Sequence, residues 1–125
     1  MAVPALLASG LFSRVIKIIV ARPRPNAAAG ALASWWPSLD AAYNSFPSGH
    51  ATSAFTLAAI LAVAAPSGRW AFYVVAGVIA FSRVAVDAHF VSDVVAGGLL
   101  GWATGRLALI VADRRWPLRE GPGRA

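Results

Sequence analysis

The chain of 125 residues contains no cysteine. Disulfides, thiolate metal sites and cysteine nucleophiles are therefore excluded, and cysteine usage says nothing about the redox compartment. Charge is also scarce: Asp, Glu, Lys and Arg together make up 13% of the residues, about half the share usual in a soluble domain. Acidic groups are the scarcest, five against eleven Lys and Arg, for a net charge of +6. What is abundant is apolar: 58% of residues are hydrophobic and the mean hydropathy is +0.66. Disordered chains are polar, so disorder is excluded. A short chain buries only a modest fraction of its surface, so a single aqueous core cannot hide this much apolar side chain. The composition fits a protein whose solvent is a bilayer.

Four unrelated apolar stretches carry that composition, at about 2–20, 48–65, 70–86 and 89–112. Each is close to the about 20 residues an α-helix needs to cross the hydrocarbon layer. Their continuous rather than alternating pattern selects helices over strands. The expected fold is thus all-α, a transmembrane bundle of about four helices with its site at one membrane face. A signal peptide is the competing reading of residues 2–20, but it would place basic residues before the apolar core, and Arg14 and Lys17 come late. Residues 1–113 are expected to form the membrane domain and 114–125 a basic, disordered cytoplasmic tail. Between the first two helices runs a long loop from Arg22 to Phe46, opened by Pro23 and Pro25. Its alanine-rich part is expected to lie along the surface, with Trp35 and Trp36 at the membrane interface.

The basic residues set the orientation. With four alternating helices, Arg69, Arg114, Arg115, Arg119 and Arg124 fall on one side, expected to be cytoplasmic. Lys17, Arg22, Arg24 and Arg83 fall on the opposite, outer side, against the positive-inside trend. They join the two histidines there, and this points to a function. A nucleic-acid binder would instead carry its basic face on an ordinary globular composition.

On that outer side Lys17, Arg24 and Arg83 offer positive charge, and the arginines can fork onto two oxygens. Pro47-Ser48-Gly49-His50 opens the second helix, where free N–H groups and the helix dipole favour an anion. Gly49 lets the backbone approach and Ser48 adds a hydroxyl, so the ligand described is a phosphate. His89 and Asp93 are four apart and are expected to share a helix face. The carboxylate would fix one ring nitrogen of His89 and leave the other as nucleophile. His50 would protonate the leaving oxygen. Arg22 reads as a snorkelling or lipid-phosphate contact, and Arg14, one turn before Lys17, as an extension of the cationic pocket or as meeting a bundle-interior or lipid-phosphate partner. Asp87 reads as a solvated loop carboxylate, and Gly97, Gly98 and Gly101 as sites of close helix packing.

These positions resemble the type 2 phosphatidic acid phosphatase superfamily, which includes the vanadium haloperoxidases. Lys17 with Arg24-Pro25, then Pro47-Ser48-Gly49-His50, then Ser82-Arg83 with His89 and Asp93 match its three motifs at all eleven defining positions. The resemblance implies His89 as nucleophile, Asp93 orienting it, His50 as acid, and phosphate contacts from Lys17, Arg24, Ser48, Gly49 and Arg83. It implies a metal-independent integral membrane phosphatase acting through a phosphohistidine on phosphatidic acid, phosphatidylglycerol phosphate, a polyprenyl diphosphate or a lipid A phosphate. No cofactor, resident metal or nucleic-acid partner is expected. Two-metal hydrolysis would need several carboxylates around paired ions, and the motif segments offer few. The membrane-bound relatives carry further helices ahead of the lysine motif, whereas sixteen residues precede Lys17 here. The chain therefore reads as a compact member or as the catalytic part of a larger bundle. The rival functions are a haloperoxidase-like enzyme and a non-catalytic subunit that binds anionic lipid. The Ala-, Gly- and Arg-rich usage suggests a bacterial cell membrane.

Overall fold

A computed structural model describes residues 1–27 and 37–115. Trp35, Trp36, most of the alanine-rich loop segment and residues 116–125 lie outside the described residues. Four helices are described: α1 (Ala2–Val20), α2 (Gly49–Ala64), α3 (Arg69–Ala85) and α4 (Val91–Arg115). Short 3-10 turns at Pro25–Ala27, Ala41–Tyr43 and Pro66–Gly68 lie in the connections.

Local chemistry sets each boundary. α1 ends where Pro23 approaches, since a residue before proline avoids the helical region. Ala21 turns left-handed there (φ 44°), and its N–H caps the Lys17 carbonyl at 2.9 Å. Ser48 caps the start of α2, its hydroxyl oxygen accepting from the Ala51 N–H. Pro66 stops α2, and Ala65 before it leaves the helical conformation (φ -136°, ψ 78°). At the start of α4, Asp93 accepts from the Phe90 N–H at 2.9 Å while its own N–H donates to the Phe90 carbonyl, a reciprocal cap. α4 continues through Arg114 and Arg115, past the boundary expected for the tail.

The bundle is sorted by size rather than by polarity. Its buried side chains are mostly small, alanines together with Ser9, Ser13, Ser45, Ser48, Thr52 and Thr56, beside Pro47, Ile60, His89 and Asp93, while Leu7, Leu11, Phe12, Val74, Phe81 and Leu99 are exposed. Lipid offers no hydrophobic penalty for exposed large side chains, and small interior residues let helix backbones approach. α1 and α4 are each long and apolar enough to cross a membrane, and α2 is a shorter apolar helix. Among the described residues the fold is an all-helical bundle, and its long apolar helices suit a membrane setting.

α2 is the hub of the bundle, packing against α1, α3 and α4. Its closest partner is α4. A Cβ on Gly97 would stand 2.5 Å from the Ser48 carbonyl oxygen, one on Gly101 2.1 Å from that of Thr52, and one on Gly105 2.8 Å from that of Thr56. The spacing of four puts these glycines in one stripe, and the Thr56 hydroxyl lies 3.1 Å from the Gly101 carbonyl across the contact. The glycine packing expected from sequence is present, and Gly105 extends it. This seam brings the start of α2 against the start of α4, where the Ser48 N–H donates to the Asp93 carbonyl at 2.9 Å. The second and third motifs are joined at that bond.

Candidate active site

The site gathers at one end of the bundle, where α1 and α3 finish and α2 and α4 begin. The 41–45 segment organises it by presenting carbonyls to cations. Lys17 Nζ donates to the Asn44 carbonyl at 2.7 Å and Arg24 Nε to that of Ala41 at 3.1 Å, while the Arg24 N–H donates to Ala42. The N–H of Asn26 donates to the Asp87 carbonyl, tying the loop after α1 to the α3–α4 turn.

A cavity of about 650 Å³ opens over α2, between α1 and α3. Lys17, Arg24, Gly49, His50 and His89 line it, so five of the eight expected site residues face one space. Among the described residues no carboxylate lies within ion-pair distance of Lys17, Arg24 or Arg83, and the mouth is strongly positive. The N–H groups of Gly49 and His50 find no acceptor among the described residues and stand at the positive end of α2.

The other three residues do not line the cavity. Ser48 is fully buried, with its hydroxyl spent on the helix cap and its N–H on Asp93, so the hydroxyl expected on the ligand does not line the cavity. Arg83 does not line it either. Its Nε lies 3.2 Å from the Ser82 hydroxyl, and its carbonyl accepts from the N–H groups of both Ala88 and His89. That double acceptance fixes the turn on which His89 sits.

His89 and Asp93 meet by a route different from the one their spacing suggests. His89 lies in the turn before α4 rather than on it, so the two do not share a helix face. Its Nδ1 is 2.7 Å from the Ser45 carbonyl and 3.7 Å from Asp93 Oδ2, so the ring's hydrogen bond goes to Ser45 rather than to the carboxylate. That bond assigns the proton to Nδ1 and leaves Nε2 as the ring's basic nitrogen. Asp93 is fully buried, and it accepts instead from the Ser45 hydroxyl, the Phe90 N–H and Arg22 Nη1.

Arg22 and Ser45 are thus the residues that sequence reasoning missed. Arg22 does not snorkel: Nη1 lies 2.7 Å from both Asp93 Oδ1 and the Ser92 hydroxyl, and the guanidinium stacks 4.3 Å above the Phe90 ring. Its carbonyl also accepts from the Ser45 N–H at 3.0 Å. A buried carboxylate needs a cation, and Arg22 falls between Lys17 and Arg24, which was the available signal. Ser45 carried no such signal, because its part depends on the fold of the loop. Among the described residues no group of three histidine or acidic side chains is placed to hold a metal ion.

The family model described as the PAP2 superfamily matches residues 2–117. A lipid A 1-phosphatase of Rhizobium etli is 37% identical over 124 residues, covering 90% of this chain and 53% of the relative. A lipid A 1-phosphatase of Rhizobium johnstonii is 36% identical over 124 residues, covering 90% of this chain and 51% of the relative. The chain spans about half the length of the curated relatives it matches. No solved structure matches it.

Proposed function

From the premise that this chain belongs to the PAP2 superfamily, we propose that it is a membrane phosphatase that hydrolyses lipid phosphate monoesters through a phosphohistidine. The observation that carries the reading is the cavity in which Lys17, Arg24, Gly49, His50 and His89 meet while Nδ1 of His89 is held by Ser45.

The phosphate sits against Lys17, Arg24 and the free N–H groups at the start of α2, with Arg83 adding positive charge. Nε2 of His89 attacks phosphorus in line, and the bond to the leaving oxygen breaks. His50 gives that oxygen its proton. Charge on the transferring oxygens is stabilised by the same cations and N–H groups. Water, deprotonated by His50, then attacks phosphorus, releases inorganic phosphate and returns His89 to its starting state. Asp93 acts on His89 through Ser45 and keeps the buried site neutral with Arg22.

The relatives' names favour a lipid A type phosphate, and the apolar surface around the cavity favours a lipid in any case. The cations around the cavity fit an outer-face site in a bacterial inner membrane, with Arg69, Arg114 and Arg115 on the cytoplasmic side. The test is phosphate release from a panel of lipid phosphates by purified protein beside His89→Ala and His50→Ala. Release that falls by three orders of magnitude or more, on the order expected when a nucleophile is removed, together with a trapped phosphohistidine, supports the reading. Equal release by wild type and His89→Ala overturns it.

A further inference from the structure

The hydroxyl expected on the phosphate, that of Ser48, is spent on the cap of α2. A different hydroxyl stands at the same place. Ser13 of α1 lines the cavity together with Lys17, one turn after it on the same helix face. A Cβ on Gly49 would stand 4.0 Å from Ser13 Oγ and 3.9 Å from Lys17 Cε. Ser13 therefore flanks the start of α2, where the N–H groups of Gly49 and His50 find no acceptor among the described residues.

Ser13 is 2% exposed, and its hydroxyl has no hydrogen-bond partner among the described residues. The other buried hydroxyls described within the helices behave differently. Ser9 donates to the Leu6 carbonyl at 3.0 Å, Thr52 to that of Ser48 at 2.9 Å, and Thr56 to that of Thr52 at 2.8 Å. Such a return bond to its own helix is the ordinary way for a serine or threonine to satisfy its hydroxyl. Ser13 makes none and holds its oxygen beside α2 instead. A buried hydroxyl without a partner costs stability. Alanine, the commonest buried side chain in this bundle, would pack there without that cost. An anion at the start of α2 supplies the missing acceptor.

We propose that Ser13 contacts the substrate, its hydroxyl donating to a non-bridging oxygen of the phosphate bound at the start of α2. The inference rests on the phosphatase reading above and deepens it by one residue that lies outside the three motifs. Donors of three kinds then surround the phosphate. Lys17 and Arg24 bring charge, Gly49 and His50 bring backbone N–H groups, and Ser13 brings a neutral hydroxyl from the α1 side. The serine fills on α1 the part that Ser48 cannot fill on α2, because the cap and the bond to Asp93 hold Ser48 away from the cavity.

The test measures binding of inorganic phosphate to the full chain in nanodiscs, beside the melting temperature and kcat/KM on a lipid phosphate. Ser13→Ala is expected to weaken phosphate binding about tenfold, the scale of one hydrogen bond to a charged group. It is expected not to lower the melting temperature, because the deleted hydroxyl has no partner within the protein. Ser13→Thr keeps the hydroxyl and is expected to recover part of the affinity. Ser48→Ala is expected to show the opposite balance, a lower melting temperature from the lost cap with a smaller loss of affinity. Wild-type phosphate affinity in Ser13→Ala overturns the proposal, as does a loss of affinity that comes only with a lower melting temperature. Absence of phosphate binding in wild type overturns it as well. Weakened binding in Ser13→Ala where wild type hydrolyses no lipid phosphate supports the contact and overturns the phosphatase reading alone.

Discussion

Arg22 and Asp93 form a 2.7 Å ion pair in which the carboxylate is fully buried while the arginine side chain keeps 36% of its exposure. The asymmetry decides what each partner risks. Asp93 has left water and depends on its three donors, whereas Arg22 can still be solvated. Removing the cation strands a buried charge, which costs about 3–5 kcal/mol in a fully buried pair. Partial exposure of Arg22 lets water enter in its place, so Arg22→Gln is expected to cost about 1–3 kcal/mol. Thermal unfolding in detergent measures that loss. Turnover of a lipid phosphate is expected to fall with it, and Arg22→Lys is expected to restore part of both losses, because lysine supplies the charge without the planar guanidinium that stacks on the Phe90 ring. Wild-type stability and turnover in Arg22→Gln would show that the pair contributes nothing.

Ser45 touches both His89 and Asp93, but through different atoms. The His89 contact uses its carbonyl, which any residue keeps, and the Asp93 contact uses its hydroxyl, which alanine removes. Ser45→Ala is therefore expected to lower kcat by about tenfold, a loss on the scale of one hydrogen bond, with little change in KM. If the hydroxyl acts only through Asp93, adding Ser45→Ala to Asp93→Asn should cost almost nothing further, a clear departure from additivity. Additive losses in that double-mutant cycle would separate the two residues.

The glycine stripe gives a prediction about stability rather than chemistry. Gly101 and Gly77 both lie inside helices, yet a Cβ would stand 2.1 Å from the Thr52 carbonyl oxygen at Gly101 and meets nothing within 4 Å at Gly77. Gly101→Ala must push α4 away from α2 and is expected to cost about 1–3 kcal/mol or more. Because the same seam holds the Ser48 N–H on the Asp93 carbonyl, activity should fall as well. Gly77→Ala has only helix propensity to gain, up to about 1 kcal/mol. Unfolding of the two variants in one detergent should move in opposite directions, and a shared direction would refute the packing account.

These contrasts mark what the sequence could and could not disclose. Composition and continuous apolar runs placed all four helices within a few residues, because Pro23, Ser48 and Pro66 act locally and do not wait for tertiary contacts. Lys17, Arg24, His50 and His89 were legible because their residue types are expensive in a membrane and their spacing is distinctive. The path between His89 and Asp93 was not legible. A spacing of four implies a shared face only if both residues are helical, and the turn anchored on the Arg83 carbonyl keeps His89 off α4. Ser45 and Asn44 act largely through backbone carbonyls, which no residue type advertises. Arg22 was visible as a charge, but its partner depended on how the α1 end meets the α4 start.

His50 and His89 line the same cavity, yet His50 is exposed and His89 nearly buried, at 4%. This difference suits an acid that exchanges protons with water and a nucleophile that must be held in one orientation. It leads to a test of roles that uses the leaving group as a probe. An alkyl alcohol leaves badly without a proton, so removing the acid should cost about 10²–10⁴ in rate. A nitrophenol leaves as a stable anion and gains little from protonation. His50→Ala is therefore expected to slow phosphohistidine formation strongly with a lipid alkyl phosphate and only weakly with nitrophenyl phosphate, measured as the single-turnover burst. His89→Ala should abolish the burst with both, since no leaving group replaces a missing nucleophile. Equal burst losses on the two substrates in His50→Ala would remove it from the acid's role and leave it as a phosphate ligand at the start of α2.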